Sequence, residues 1–299
     1  MDQSSRRERP LALENVEEVV FLDLDNTLCG DDVAPEEFIK FWTSYAARRS
    51  AMLVYNTGRD QHQVNGWVQE GWLPKPSQFA INNDGANVYF DGQLWVRWAA
   101  LLRTRQYTLA WVSYVEDLLL NMDVGNCKLR ADRCDFNLRW WVSGAGFEEC
   151  VAHYCRVCDA LPKLDGAFYH AYTEHELLHE PLEECNSGKD WWKDRGIQAS
   201  MKPAVAKLHG KGVASTFLYE CLQEEFPTLK RALWAGDGLN DMSMITCTTF
   251  DGILVANADR ELKDAAAREK GTRRIYEAKQ TFAQGVIEGL VWHEQQNRT

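Results

Sequence analysis

Four short stretches of the 299-residue chain are nearly uninterrupted apolar runs: Val19–Asp23 (VVFLD), Ala51–Tyr55 (AMLVY), Ala232–Gly236 (ALWAG) and Gly252–Val255 (GILV). A strand with one wet face alternates apolar and polar residues, whereas a run of this kind must be buried on both faces, as in a parallel sheet covered by helices. Between the first two runs, Pro35–Arg48 places Phe38, Phe41, Trp42 and Tyr45 on one helical face, with Pro35 near the first turn. Strand, helix and strand are therefore complete by residue 57. The pattern predicts an α/β fold with a Rossmann-like parallel sheet made from the two ends of the chain, and chemistry gathered at the carboxyl ends of its strands.

The middle of the chain follows another grammar. Phe79–Asn82 reads as one more strand, Asn83-Asp84-Gly85 as a turn, and Val88–Phe90 with Leu94–Val96 as a hairpin around Asp91-Gly92. There follow one long amphipathic helix over about 99–120, strands near 127–129 and 137–142, a helix near 147–161 and a strand near 167–172. This mixture predicts an inserted α+β domain over residues 86–205, carried by a core of residues 1–85 and 206–299.

Composition removes several classes of function. With 33 Lys plus Arg against 44 Asp plus Glu, the formal charge is −11, and no basic block is longer than a dipeptide. Neither nucleic acid nor an anionic membrane is expected as a partner. The most apolar-leaning uncharged stretch, 106–115, is about half of the roughly 20 residues that span a bilayer. The polar N-terminus is followed by no apolar leader segment, and nine scattered cysteines suit free thiols, so a cytoplasmic location is expected, as a monomer or small homo-oligomer.

Four groups carry the chemistry. Asp23-Leu24-Asp25-Asn26-Thr27 sets two carboxylates two residues apart after a buried strand; on a continuing strand both would point the same way, towards Mg2+ and a phosphate. Thr57 in Asn56-Thr57-Gly58-Arg59 offers a hydroxyl and following amides to phosphate oxygens, unless it is an ordinary turn residue. Lys211 opens an amphipathic helix that runs to Phe226, where the dipole disfavours a cation without a nearby anion; Lys207 is its rival four residues upstream. Gly236-Asp237-Gly238-Leu239-Asn240-Asp241 follows another buried strand with hard oxygens and close-approaching glycines.

Those groups, DLDNT, NTGR, GKG and GDGLND in that order, resemble the haloacid dehalogenase-like superfamily of aspartate-nucleophile phosphatases over about residues 17–85 and 205–292. The resemblance implies Asp23 as nucleophile, Asp25 as general acid and base, and Thr57 and Lys211 as phosphate anchors. It further implies Gly58, Arg59 and Asn240 as phosphate or substrate contacts, and Asp23, Asp25, Asp237 and Asp241 around Mg2+; from its place after Thr57, Arg59 meets either substrate or a core carboxylate. With 153 positions between Thr57 and Lys211, the insertion lies where this superfamily carries mixed α/β caps, many of them on enzymes of phosphorylated sugars. NVYFDGQLW, HGKGVASTFL and AQGVIEGLVWH are similar to segments of the sucrose-phosphate phosphatase branch, while NNDGAN and GDGLND depart from it. The expected substrate is sucrose 6-phosphate or a related glycosyl phosphate. Hexose, trehalose or mannosyl-phosphoglycerate esters, a phosphomutase, and a catalytically silent sugar-phosphate-binding module are the alternatives.

Other features are set aside. His175-Glu176-Leu177-Leu178-His179 matches the zincin pattern but lacks the context of a third ligand, and reads as a surface or lid helix. Cys155 and Cys158 form a single C-x-x-C without a second pair, and read as half-buried thiols. Trp140-Trp141 and Trp191-Trp192 fall in the cap, where aromatic rings stack on sugars or fill a core, and most of these tryptophans are expected to fill the core.

Overall fold

The computed structural model describes residues 15–30, 34–104, 106–123, 125, 128–143, 152, 167–172, 197–203, 210–269 and 271–296. The chain divides into two compact units, Met1–Gln93 with Lys211–Thr299, and Leu94–Gly210. The first unit contains β1 (Glu18–Leu22), α1 (Ala34–Arg49), β2 (Ala51–Asn56), α2 (Gln61–Gln69), β3 (Phe79–Asn82) and β4 (Asn87–Phe90), with β5 (Gln93–Leu94) at its boundary. The second contains α3 (Val96–Thr104), α4 (Leu109–Leu120), β6 (Lys128–Cys134), β7 (Asn137–Ser143), β8 (Ala167–Tyr172) and β9 (Ile197–Pro203). After Lys211 the first unit resumes with helix Lys211–Glu225, β10 (Arg231–Gly236), β11 (Asp251–Leu254), β12 (Ile275–Glu277) and helix Phe282–Gln296.

The central sheet has the order β12-β11-β10-β1-β2-β3-β4-β5. Pairing from β12 through β3 is parallel, and β1 and β2 are buried at every position, as their unbroken apolar runs require. Register aligns Leu22 with Tyr55 on one side and with Ala235 on the other. The chain leaves β1 towards β2 and β3 on one flank, and returns through β10 to β12 on the other. The strand order reverses at β1, and residues 23, 57 and 237 emerge beyond the carboxyl ends of β1, β2 and β10, the edge where sheets of this kind carry their ligands.

At the opposite end of β1, Glu18 is fully buried. Its carboxylate accepts the Tyr45 hydroxyl at 2.5 Å and pairs with Arg231 at 3.2 Å and Arg49 at 3.5 Å, so the buried charge is compensated.

Two elements differ from the sequence reading. The hairpin read as the start of the insertion extends the central sheet: β4 lies antiparallel to β3, with Phe79 opposite Phe90 and Asn82 opposite Asn87. The single helix expected over 99–120 is two helices. Gln106 takes a left-handed φ of 60°, and the Thr108 hydroxyl accepts the Trp111 N–H at 3.2 Å to start α4 anew. Tyr107, buried between them, donates its hydroxyl to the Phe136 carbonyl at 2.7 Å.

The second unit's sheet has the order β6-β7-β9-β8 and is antiparallel throughout, with Leu138 and Trp140 fully buried on β7. Trp140 is thus a core residue, as most cap tryptophans were expected to be. The helix expected near 147–161, apart from residue 152, which is helical, lies outside the described residues, as do the His175–His179 pattern, Cys155 with Cys158, Trp191-Trp192 and Lys207. No helix among the described residues is long and apolar enough to cross a membrane, and Cys29 and Cys247 are free thiols.

Candidate active site

Asp23 follows β1 directly, its N–H still bonded to the Ala235 carbonyl at 3.1 Å, so the β1–β10 ladder fixes where its carboxylate begins. Beyond it the chain stops being a strand. Leu28 and Cys29 both donate N–H to the Leu24 carbonyl, at 2.9 and 2.8 Å, and Asn26 adopts a left-handed φ of 57°. This turn buries Thr27, whose hydroxyl donates to Asp237 Oδ1 at 2.6 Å.

The same turn corrects one expectation. Side-chain alternation holds only on a continuing strand. Asp25 therefore does not join Asp23; its half-exposed carboxylate accepts Arg59 Nε at 2.9 and 3.1 Å and also pairs with Nη2. Among the described residues the carboxylates that converge are Asp23, Asp237 and Asp241, with one oxygen of each within 4.8 Å of the others. Asp25 is not the fourth.

Lys211, the first residue of its helix, is completely buried against this cluster. Its Nζ donates to Asp241 Oδ1 at 2.8 Å and stands 2.7 Å from Asp23 Oδ1 as an ion pair outside hydrogen-bonding geometry. A cation at a helix start is explained by these two anions. Burial alone would lower the Lys211 pKa, but Asp23, Asp241 and Asp84 overcome it and hold the ammonium above its ordinary range.

Asp241 closes the loop after β10. Its Oδ2 accepts the N–H groups of Asp237 at 3.1 Å and Gly238 at 3.3 Å. Gly236 is required here, because a Cβ on it would lie 2.4 Å from Asp241 Oδ2. Burial, followed by repulsion from Asp241, pushes the Asp237 carboxyl up to about 7 against the opposing Thr27 hydrogen bond. Asp23 is also raised well above the carboxylate range, by burial first, with Lys211 opposing and Asp241 and Asp237 adding to it.

The residues suit a hard divalent cation. Asp23 Oδ1 is a buried oxygen that accepts no hydrogen bond, the donor set is all carboxylate, and the three acids repel one another with Lys211, among the described residues, as the buried ammonium that offsets them.

Thr57 is buried at the end of β2, its N–H bonded to the Ile81 carbonyl at 3.0 Å and its hydroxyl accepting the Arg59 N–H at 3.2 Å. Gly58 passes close to Asp84: a Cβ on it would be 3.0 Å from Asp84 Oδ1. Asn240 donates its Nδ2 to that same Oδ1 at 3.1 Å. Arg59, read as meeting either substrate or a carboxylate, is given to Asp25, and its guanidinium lies 3.9 Å from the centroid of the Trp67 ring on α2.

Thr27, Trp67, Asp84 and Asp259 were not singled out from sequence. Asp259 accepts the Leu239 N–H at 3.1 Å, and its own N–H holds the Asp237 carbonyl at 2.7 Å. Thr27 and Asp84 lay within motifs already noted, but Trp67 and Asp259 carried no distinguishing pattern.

Residues 16–122 and 204–294, about two thirds of the chain, match the family described as sucrose-6F-phosphate phosphohydrolase. The chain is 23% identical over 280 residues to a mannosylfructose-phosphate phosphatase of Agrobacterium fabrum, spanning 90% of this chain and 93% of that one. Among solved structures it resembles the sucrose-phosphatase of Synechocystis in complex with sucrose and phosphate, with TM-score 0.60, 19% identity, and coverage of 93% of this chain and 98% of that one. A haloacid dehalogenase-like hydrolase of Bacillus subtilis gives TM-score 0.55, 16% identity, and coverage of 94% and 93%.

Proposed function

The chain belongs to the sucrose-6F-phosphate phosphohydrolase family, whose members are phosphoric monoester hydrolases of the haloacid dehalogenase superfamily, and we propose that it hydrolyses a disaccharide phosphate, sucrose 6-phosphate or a related glycosyl phosphate, through an aspartyl-phosphate intermediate with Mg2+. The observation that carries this reading is the Asp23 carboxylate, its Oδ1 without a hydrogen bond, beside Lys211 at 2.7 Å and clustered with Asp237 and Asp241. The relatives act on sucrose phosphate and mannosylfructose phosphate, both of which end in fructose, and that shared half favours a fructose-containing disaccharide over a hexose.

Asp23, Asp237 and Asp241 would hold Mg2+, which when bound neutralises charge on the phosphoryl group. Lys211 supplies the protein's own positive charge at the same place. A carboxylate approaching a dianion is repelled, so this neutralisation lets Asp23 reach phosphorus in line. Asp23 forms a bond to phosphorus as the phosphorus bond to the sugar oxygen breaks, and Asp25 gives that oxygen its proton. Asp25 then takes a proton from water, which attacks the phosphoryl group and releases Asp23 with inorganic phosphate. Thr57, Gly58 and Asn240 line the phosphate side.

The test is phosphate release from sucrose 6-phosphate, mannosylfructose phosphate, trehalose 6-phosphate and glucose 6-phosphate, each with Mg2+ and with EDTA. Metal-dependent release fastest on a fructose-containing disaccharide is expected. Release unaffected by EDTA would overturn the metal reading, and absence of release together with retained sugar-phosphate binding would favour a silent binding module.

Acidity provides a second readout. With the Asp237 carboxyl at about 7, a proton occupies it below that pH and must leave before Mg2+ binds. The Mg2+ concentration giving half activity should rise by at least about tenfold per pH unit below 7, because the raised Asp23 carboxyl must lose its proton as well. The same shift acts on stability. A carboxyl raised in the fold favours its neutral form, so the metal-free protein should lose thermal stability as pH rises from about 4, its unfolded value, to about 7, and Mg2+ should remove that loss. Melting curves in EDTA and in Mg2+ across this range check it.

Arg59 distinguishes two roles by the kinetic parameter it moves. If it holds the acid and base Asp25, Arg59→Ala should lower kcat by about tenfold to a hundredfold with KM changed by less than about threefold. Trp67→Leu, which removes the surface behind the guanidinium, should give a smaller loss of the same kind. A rise in KM at constant kcat would instead assign Arg59 to substrate binding.

A further inference from the structure

Asp84 is a buried carboxylate that takes no part in the steps above beyond helping to keep the Lys211 ammonium charged. It sits in the turn Asn83–Gly85, where three successive residues have φ of 52°, 52° and 89°. Asn and Asp adopt left-handed backbone more readily than other residues with a side chain, which suits them to this turn. Here the Asn83 N–H is bonded to the Arg59 carbonyl at 3.1 Å and the Asp84 N–H to the Thr57 carbonyl at 3.0 Å, so the turn is pinned to the loop after β2. The twist directs the Asp84 carboxylate beneath Gly58, where a Cβ would meet it at 3.0 Å, and brings Oδ1 to 3.1 Å from Asn240 Nδ2, across 156 positions of sequence.

By charge alone, a further acid acting on Lys211 together with Asp23 and Asp241 opposes the binding of a phosphate dianion. Its contacts point to geometry as the benefit. We propose that Asp84 is a positioning residue of the phosphate site: by accepting the Asn240 amide it fixes the loop after β10 against the Thr57–Arg59 loop, so that both face the phosphoryl group at a set separation. This rests on the reading of Gly58 and Asn240 as phosphate contacts. The role acts on bound phosphate and on the transition state alike, so it belongs in KM and in phosphate affinity rather than in kcat.

The experiment uses the whole protein, with inorganic phosphate as competitive inhibitor and probe. Asp84→Gly removes the carboxylate while a glycine takes the φ of 52° without strain, so its effect belongs to the side chain. Asp84→Asn keeps an acceptor oxygen and discards the charge. Asp84→Gly is expected to raise both KM and the phosphate inhibition constant about tenfold, with kcat within about threefold, and Asp84→Asn to stay within about threefold of the parent on all three. The double variant Asp84→Gly with Asn240→Ala should be no worse than Asn240→Ala alone.

Tighter phosphate binding in both Asp84 variants would show that the residue acts by charge and overturn the proposal, as would losses that multiply in the double variant. If Asn240→Ala weakens phosphate binding and Asp84→Gly does not, the positioning role alone fails. If Asn240→Ala leaves phosphate binding unchanged, the assignment of Asn240 fails and takes the proposal with it.

Discussion

Asp23→Asn is expected to lower kcat by about 10⁴-fold or more and, in the same protein, to raise the melting temperature measured in EDTA. The two effects have opposite signs because the residue is arranged for chemistry at the expense of the resting fold. As a nucleophile Asp23 needs its charge, and an amide in its place cannot form the acyl phosphate. In the metal-free protein that charge is buried beside Asp237 and Asp241, and its raised pKa records how strongly the surroundings prefer the neutral form. Asparagine has the shape of the neutral acid and carries no charge, so the repulsion disappears while Lys211 keeps its hydrogen bond to Asp241. Steady-state kinetics with Mg2+ and thermal unfolding in EDTA test both halves. Retained turnover would remove Asp23 from the nucleophile's role, and a lower melting temperature would mean that its pairing with Lys211 outweighs the repulsion.

How far the site could be read from sequence depends on how local its causes are. The positions of Asp23 and Asp237 were legible because each ends an apolar run, and parallel strands of a doubly covered sheet deliver their carboxyl ends to one edge. Lys211 was legible because a helix start repels a cation unless an anion is near, and the anions are there. Asp25 was misdirected by an assumption about the next residue. Alternation was extended past Leu22, but the backbone turns at Asn26 and sends the carboxylate to Arg59. Nothing in the sequence Asp-Leu-Asp-Asn-Thr fixes where the strand stops, since that is decided by which backbone groups β10 can still pair.

Asp84 was read as turn chemistry, correctly for its backbone and incompletely for its side chain. Its partner Asn240 lies 156 positions away, and only the completed sheet brings them together. The break between α3 and α4 was hidden for another reason. The residue at positive φ is Gln106, neither glycine nor asparagine, and the renewed helix announces itself only through the Thr108 cap. Packing of Tyr107 into the second unit overrides the local preference for continuing the helix.

Lys211→Met should abolish turnover and, unlike the change at Asp23, weaken the metal-free fold, by about 3–5 kcal/mol. Lysine and methionine have similar volume, so the cavity term is small and the loss is electrostatic. The buried ammonium is removed while Asp23 and Asp241 remain, and the desolvated carboxylates are left without a counter-charge. That cause makes the deficit depend on pH. Asp23 and Asp237 already favour their neutral forms, so lowering the pH below about 7 protonates first the groups whose repulsion the variant suffers from, and the stability gap to the parent should narrow. Mg2+ at pH 8 should narrow it as well, by supplying the missing positive charge to the same oxygens. Denaturant unfolding at pH 5 and pH 8, with and without Mg2+, measures all four cases, and a deficit unchanged across them would assign the loss to packing. Lys207→Ala serves as the kinetic control: turnover lost there and kept in Lys211→Met would move the phosphate anchor to Lys207 and leave Lys211 as a structural counter-ion for the acid cluster.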